Sequence, residues 1–149
     1  MTLDLKQFQG IFFEESFEGL DAMESALVAA AGPILDTDVI NALFRAAHSM
    51  KGGSGTFGYA DLTRFTHRME ALLDQVRQGS RPLDETLIAV LLQAVDAARD
   101  LLKVLSAGGS RDPSTWRRRR WRWTPYSTPR HRPRTPVARP LVRRHPEAT

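Results

Sequence analysis

Two histidines, each followed three residues later by an ionisable partner, carry the chemistry this chain could do: His48 with Lys51, and His67 with Glu70. On a helix, residues three apart share a face. Gly52 and Gly53 follow Lys51 directly. A carboxylate that accepts a hydrogen bond from one imidazole nitrogen fixes the tautomer and raises the basicity of the other nitrogen. That other nitrogen is then a neutral nucleophile. An ammonium close by would offset negative charge arriving with a phosphoryl group. Singly, each residue has a plain reading: His48 as a surface histidine, His67/Glu70 as a surface helix pair, Lys51 as a solvated charge. Their combination with two adjacent glycines sets the stretch apart. Each glycine inside a helix costs about 1 kcal/mol relative to alanine. Such a pair either marks a fraying helix end or lets a bulky group approach. A metal site built from His48, His67 and Glu70 is not expected, because the paired Glu-x-x-His ligands of di-metal bundles are missing.

The elements that would hold these groups are four helices. Apolar residues recur at steps of three and four through Leu5, Phe8, Phe12, Leu20, Met23 and Leu27, with Ser16 interrupting the stripe. Asp4 and Gln7 have the form of a capping box, and Gly32-Pro33 ends the segment. A second segment, from about Thr37 to Ser54, uses Ile40, Leu43, Ala47 and Met50, with Asp36, Thr37 and Asp38 offering N-cap oxygens. His48 lies about 100° round from Ala47, at the edge of that stripe or beyond it. A third, from about Ala60 to Gln78, uses Leu62, Phe65, Met69, Leu72, Leu73 and Val76, and Gly79 is placed as its stop. The fourth, from Asp84 to about Ala107, uses Ile88, Leu91, Val95, Ala98, Leu102 and Leu105. Connections of about five to seven residues favour antiparallel neighbours. The expected fold is all-α: an antiparallel up-down-up-down four-helix bundle.

The stretch from Leu43 to Gly58, Leu-Phe-Arg-Ala-Ala-His-Ser-Met-Lys-Gly-Gly-Ser-Gly-Thr-Phe-Gly, resembles the phosphorylation motif of a known family. That family is the N-terminal histidine phosphotransfer (HPt) domain of the bacterial chemotaxis sensor kinase CheA. The likeness extends to Phe12-Phe13-Glu14-Glu15 and to Thr66-His67-Arg68-Met69-Glu70-Ala71-Leu72-Leu73-Asp74, and covers about residues 1–107. It implies that His48 is the phosphoacceptor and that Glu70 bonds its second ring nitrogen. It implies further that Lys51 and His67 complete the polar network, and that Gly52 and Gly53 leave room for docking partners. By the same likeness, a kinase ATP-binding domain loads His48, and the group passes to an aspartate of a CheY-like or CheB-like receiver domain. No cofactor is expected on this chain; ATP and Mg²⁺ belong to the partner kinase, and Mg²⁺ to the partner receiver.

Composition bounds the rest. The chain has 149 residues and no cysteine, which excludes disulfides, thiolate metal sites and a cysteine nucleophile. No apolar run approaches the roughly 18–20 residues needed to cross a bilayer. The first residues lack a signal-peptide layout, so the expected address is the cytoplasm. Charge is split. Residues 1–109 hold 9 Lys+Arg and 15 Asp+Glu, a net of −6, whereas residues 110–149 hold 12 Arg and 2 acids, a net of +10. All three Trp and seven of nine Pro also lie after residue 110. The expected division is a phosphotransfer domain over 1–109 and a disordered Arg/Pro/Trp-rich tail over 110–149. That tail reads either as a basic arm or as a frameshift-derived end, since Arg, Pro, Trp and Thr abound when a GC-rich gene is read out of frame. No glycine-rich nucleotide motif is present, so autonomous kinase activity is not expected. The resemblance implies a fragment or truncated form of a sensor kinase. The alternative is a helical-bundle binding protein whose Arg-rich tail attaches to nucleic acid or an anionic membrane.

Overall fold

A computed structural model describes residues 4–30 and 36–109. The tail over 110–149 and the Gly32-Pro33 stop lie outside the described residues. Four helices form in order: α1 (Leu5–Ala29), α2 (Thr37–Thr56), α3 (Ala60–Arg77) and α4 (Glu85–Ser106). No strand occurs among the described residues. Consecutive helices pack side by side, and α4 closes the ring against α1, while the backbones of the diagonal pairs stand farther apart. This is the up-down-up-down bundle, all-α as expected.

The helix ends follow their local chemistry. The Asp36 side chain accepts from the Asp38 amide at 2.9 Å, and Asp84 accepts from the Leu87 amide at 2.8 Å. Each satisfies one of the orphan donors of a first turn. Asp4 corrects the capping-box expectation, since its side chain makes no cap bond and its backbone carbonyl instead accepts from the Gln7 amide at 2.7 Å. Gly79 stops α3 as expected, one residue past its C-cap Gln78. The connection from α2 to α3 is only Phe57-Gly58-Tyr59, shorter than anticipated. Gly58 makes it possible with a φ of 74°, a left-handed conformation that side chains resist. So tight a turn holds α2 and α3 antiparallel and close along the stretch that carries both histidines.

Leucines and methionines fill the centre: Leu20, Met23 and Leu27 from α1, Leu43 and Met50 from α2, Leu62, Met69 and Leu73 from α3, and Leu91 and Leu102 from α4. Truncating such a leucine to alanine typically costs about 2–5 kcal/mol. The stripe on α1 departs from expectation at both ends of its first half. Ser16 is buried and continues the stripe, whereas Leu5 and Phe8 are 64% and 47% exposed. The reason is register. Gly53 of α2 lies against Phe12, and α2 ends three residues later, so the first turns of α1 run past their neighbour. On α3, Thr66 takes the buried position beside Leu62 and Met69, while Phe65 packs at the margin. The Thr66 hydroxyl donates to the Leu62 carbonyl at 2.8 Å, so the polar atom is satisfied within its own helix.

At the end of the bundle where α2 turns into α3, Phe12, Phe13, Phe57 and Tyr59 form an aromatic cluster with ring centroids 5.4–6.3 Å apart. Below it, the Ser54 hydroxyl donates to the Lys51 carbonyl at 2.9 Å and lies 3.0 Å from the Thr63 hydroxyl across the α2–α3 seam. These contacts brace the turn of α2 that carries Lys51.

Candidate functional site

His48 projects from α2 toward α3, and Glu70 projects from α3 to meet it. The distance from His48 Nδ1 to Glu70 Oε1 is 2.9 Å. Lys51, one turn after His48, places its Nζ 2.5 Å from the other oxygen, Glu70 Oε2. A single carboxylate thus bridges an imidazole and an ammonium. The exposures differ sharply: the His48 side chain is 61% accessible, Lys51 27% and Glu70 13%.

Burial pushes the Glu70 carboxyl toward the neutral acid, but hydrogen bonds from Lys51 and then His48, with their charges, outweigh it and hold its pKa below the usual value. Glu70 is therefore a carboxylate at neutral pH, and a carboxylate only accepts hydrogen bonds. The proton in the His48–Glu70 bond must sit on Nδ1. A neutral imidazole with its proton on Nδ1 keeps a lone pair on Nε2. That arrangement is chemically a nucleophile: one nitrogen anchored to a largely buried acid, on a side chain that stays mostly accessible to solvent.

Three of the four expected polar residues are therefore together. His67 is not among them. It is exposed on α3 and makes no hydrogen bond or ion pair with His48, Lys51 or Glu70. Lys51 joins the polar network as expected, through Glu70 rather than through the ring.

The two glycines separate. A Cβ added at Gly52 would meet nothing within 4 Å, so this exposed glycine does leave open space beside the site. A Cβ at Gly53 would come 2.4 Å from the Phe12 ring. The expectation that Gly53 clears room for a partner is corrected: its missing side chain lets α1 pack against α2. The helix does not fray there but runs through both glycines to Thr56.

One neighbour was not anticipated. The Phe44 ring, four residues before His48, lies nearly parallel to the imidazole, with 15° between planes and 6.0 Å between centroids. The Arg77 guanidinium sits over the Phe44 ring, 3.9 Å from its centroid, and donates to Asp74 at 2.7 Å. The i,i+4 spacing of Phe44 and His48 was the available signal, and the helical stripe did not account for Phe44.

Among the described residues, no group of three His, Asp or Glu side chains is placed to hold a metal ion. No helix among them is long and apolar enough to cross a membrane.

Comparison with known proteins gives a consistent picture. The family model described as the Hpt domain matches residues 7–101. The chemotaxis protein CheA of Salmonella typhimurium is 41% identical over 102 residues, which is 68% of this chain and 15% of that protein. CheA of Rhizobium meliloti is 37% identical over 110 residues, 74% of this chain and 14% of the relative. The sensor histidine kinase CheAY of Helicobacter pylori is 32% identical over 107 residues, 72% of this chain and 13% of the relative. The matched part thus spans about one-seventh of the length of these relatives. A crystal structure of the phosphorylated P1 domain of CheA3 in complex with CheY6 from R. sphaeroides aligns with a TM-score of 0.69 at 27% identity. That alignment covers 76% of this chain and 88% of the other.

Proposed function

The chain belongs to the Hpt domain family, and from that premise we propose that it is a histidine phosphotransfer module of a chemotaxis-type phosphorelay, with His48 as its phosphoacceptor. The observation that carries this reading is the Nδ1–Glu70 bond of 2.9 Å on a ring that is 61% exposed. The related P1 domain in the CheA3 structure is phosphorylated and bound to CheY6, which supports the same role here.

The likeness to CheA supplies the steps, and the geometry of His48, Glu70 and Lys51 supports them. The Nε2 lone pair attacks the γ-phosphorus of ATP held by a partner kinase domain. A P–N bond forms, the bond to the β,γ-bridging oxygen breaks, and ADP leaves with that electron pair. Positive charge builds on the imidazole during attack, and the Glu70 carboxylate at Nδ1 stabilises it. Lys51 keeps Glu70 ionised and oriented. In the second transfer, a carboxylate oxygen of a receiver-domain aspartate attacks the phosphorus. The P–N bond then breaks, and its electron pair returns to Nε2. In this reading Mg²⁺ and nucleotide are brought by the partner domains, while His48 and Glu70 supply the acceptor and its orienting acid. Gly52 leaves the approach beside His48 open. In this reading the module occupies residues 1–109 and, by its likeness to CheA, works in the cytoplasm.

The test supplies a CheA-type kinase domain and labelled ATP in trans. The wild-type chain should acquire acid-labile, alkali-stable label, and His48→Gln should acquire none. Label that persists on the His48→Gln variant removes His48 from this role.

A further inference from the structure

We propose that Phe44, steadied by Arg77, is a positioning residue that sets the plane of the His48 ring, an inference that rests on His48 being the phosphoacceptor. The His48–Glu70 hydrogen bond fixes one atom of an exposed side chain. A ring held at one point can still swing about that bond, and each swing re-aims Nε2. A second contact on the face of the ring removes that freedom. Side chains on a helix lean toward its N-terminus, so His48 lies back over the turn that carries Phe44. The 15° angle between the two planes shows the rings nearly parallel.

Phe44 is itself held. It is half-buried and packs against the core from α2. The Arg77 guanidinium caps its ring at 3.9 Å, a cation–π contact. Asp74 anchors Arg77 one turn earlier on α3 at 2.7 Å. The chain of contacts runs Asp74–Arg77–Phe44–His48, and it reaches the imidazole from α3 by a route separate from Glu70. Two elements of α3, Glu70 at the edge of the ring and Arg77 through Phe44 at its face, thus define the direction of Nε2. Phe44 touches no reacting atom, so its effect passes through the geometry of His48.

The test reads the ring directly in the 149-residue chain. Imidazole ¹⁵N NMR above the histidine titration range reports which nitrogen carries the proton, with no kinase present. The wild type should show the proton predominantly on Nδ1. Phe44→Leu should move the His48 population toward the Nε2–H form. It should lower the maximal phosphorylation rate by roughly two- to tenfold, the range an aromatic pair contributes, with KM for the kinase domain unchanged. Phe44→Tyr, which keeps the ring, should restore both. Arg77→Gln acts from the surface and leaves the core intact, so it should give the same changes at smaller size without a fall in melting temperature. In a Glu70→Ala background, Phe44→Leu should lose most of its effect, because the two contacts orient one ring. An unchanged tautomer ratio in both Phe44→Leu and Arg77→Gln overturns the proposal, as does a rate loss in Phe44→Leu that Phe44→Tyr does not restore. The NMR result is independent of label on His48→Gln, so failure here is distinguishable from failure of the phosphoacceptor assignment.

Discussion

Two ionic clusters tie this bundle together, one across α2–α3 and one across α1–α4, and they invert each other. In the first, one carboxylate, Glu70, takes two donors, His48 and Lys51. In the second, one guanidinium, Arg99, takes Glu24 at 2.7 Å, Asp21 at 2.8 Å and Asp96 at 3.3 Å. The hydrogen bond to Glu24 leads the causes that hold the Arg99 pKa above its ordinary value, and burial opposes it only in part. Arg99 is therefore permanently charged, has no lone pair to offer and can only bind. His48 is a different kind of donor. Once Glu70 has engaged one nitrogen, the ring still has a second one with a lone pair. The comparison teaches that an inter-helix ion cluster is mere structure until one member can be neutral and bifunctional. Placement matters equally: Glu70 is largely buried, whereas Asp21 and Asp96 are well exposed and screened by water.

The sharpest way to break this contrast is to remove each cluster's hub. Glu70→Ala should slow phosphorylation of His48 by about 10- to 100-fold, the scale on which orienting partners act, while the helical circular dichroism signal stays at the wild-type level. Loss of the fold in that variant would assign Glu70 to structure instead. Next comes the glycine pair beside the site. Gly53→Ala should destabilise the bundle by about 1–3 kcal/mol in urea titrations, because its Cβ would collide with the Phe12 ring. Gly52→Ala should leave stability unchanged or raise it by up to about 1 kcal/mol, since the position is helical and open. Equal effects at the two positions would contradict the packing described here.

A smaller effect follows from acid titration. The folded pKa of Glu70 is depressed relative to 4.5, so the folded state holds this proton less tightly than the unfolded chain. Its stabilising share is complete above pH about 4.5 and fades as pH falls through the lower folded value. Glu70→Gln should flatten that part of the stability–pH curve and leave the curve above it parallel to wild type. The smallest effect belongs to the α1–α4 hub. Arg99→Met should cost under about 1 kcal/mol in the same urea titration, diminish with added salt, and leave the phosphorylation rate at the wild-type value. A large loss of rate in that variant would erase the distinction between the two clusters.

Much of the bundle was readable because helical periodicity is local. The steps through Ile40, Leu43, Ala47 and Met50 placed α2, and all four are buried. The same stripe put His48 outside the core, where it is found. The misreadings fall where a neighbour sets the outcome. Leu5 and Phe8 match the period but are exposed, because α2 ends before it can cover them. Ser16 breaks the hydrophobic pattern yet is buried, because it faces the bundle interior on a continuous stripe. His67 has the same spacing to Glu70 that His48 has to Lys51, but it is Lys51 and His48 that meet the carboxylate. A shared helix face brings side chains near one another; it does not say which of them a neighbouring helix selects.

The order of residues along the chain was enough to specify four helices, cap oxygens among Asp36, Thr37 and Asp38, and an imidazole beyond the apolar stripe. Each of those rests on interactions within a few residues, where spacing along the chain is distance in space. The bond from His48 to Glu70 spans 22 residues, the Phe12 ring against Gly53 spans 41, and the Arg77 cap on Phe44 spans 33. Those contacts arise from the register between packed helices, which the tight α2–α3 turn and the interlocking of α1 with α2 impose. Local spacing could nominate the acceptor. Family likeness had already nominated Glu70 as its partner acid, but only the packed bundle brings the two into contact and sets the Phe44 ring against the imidazole.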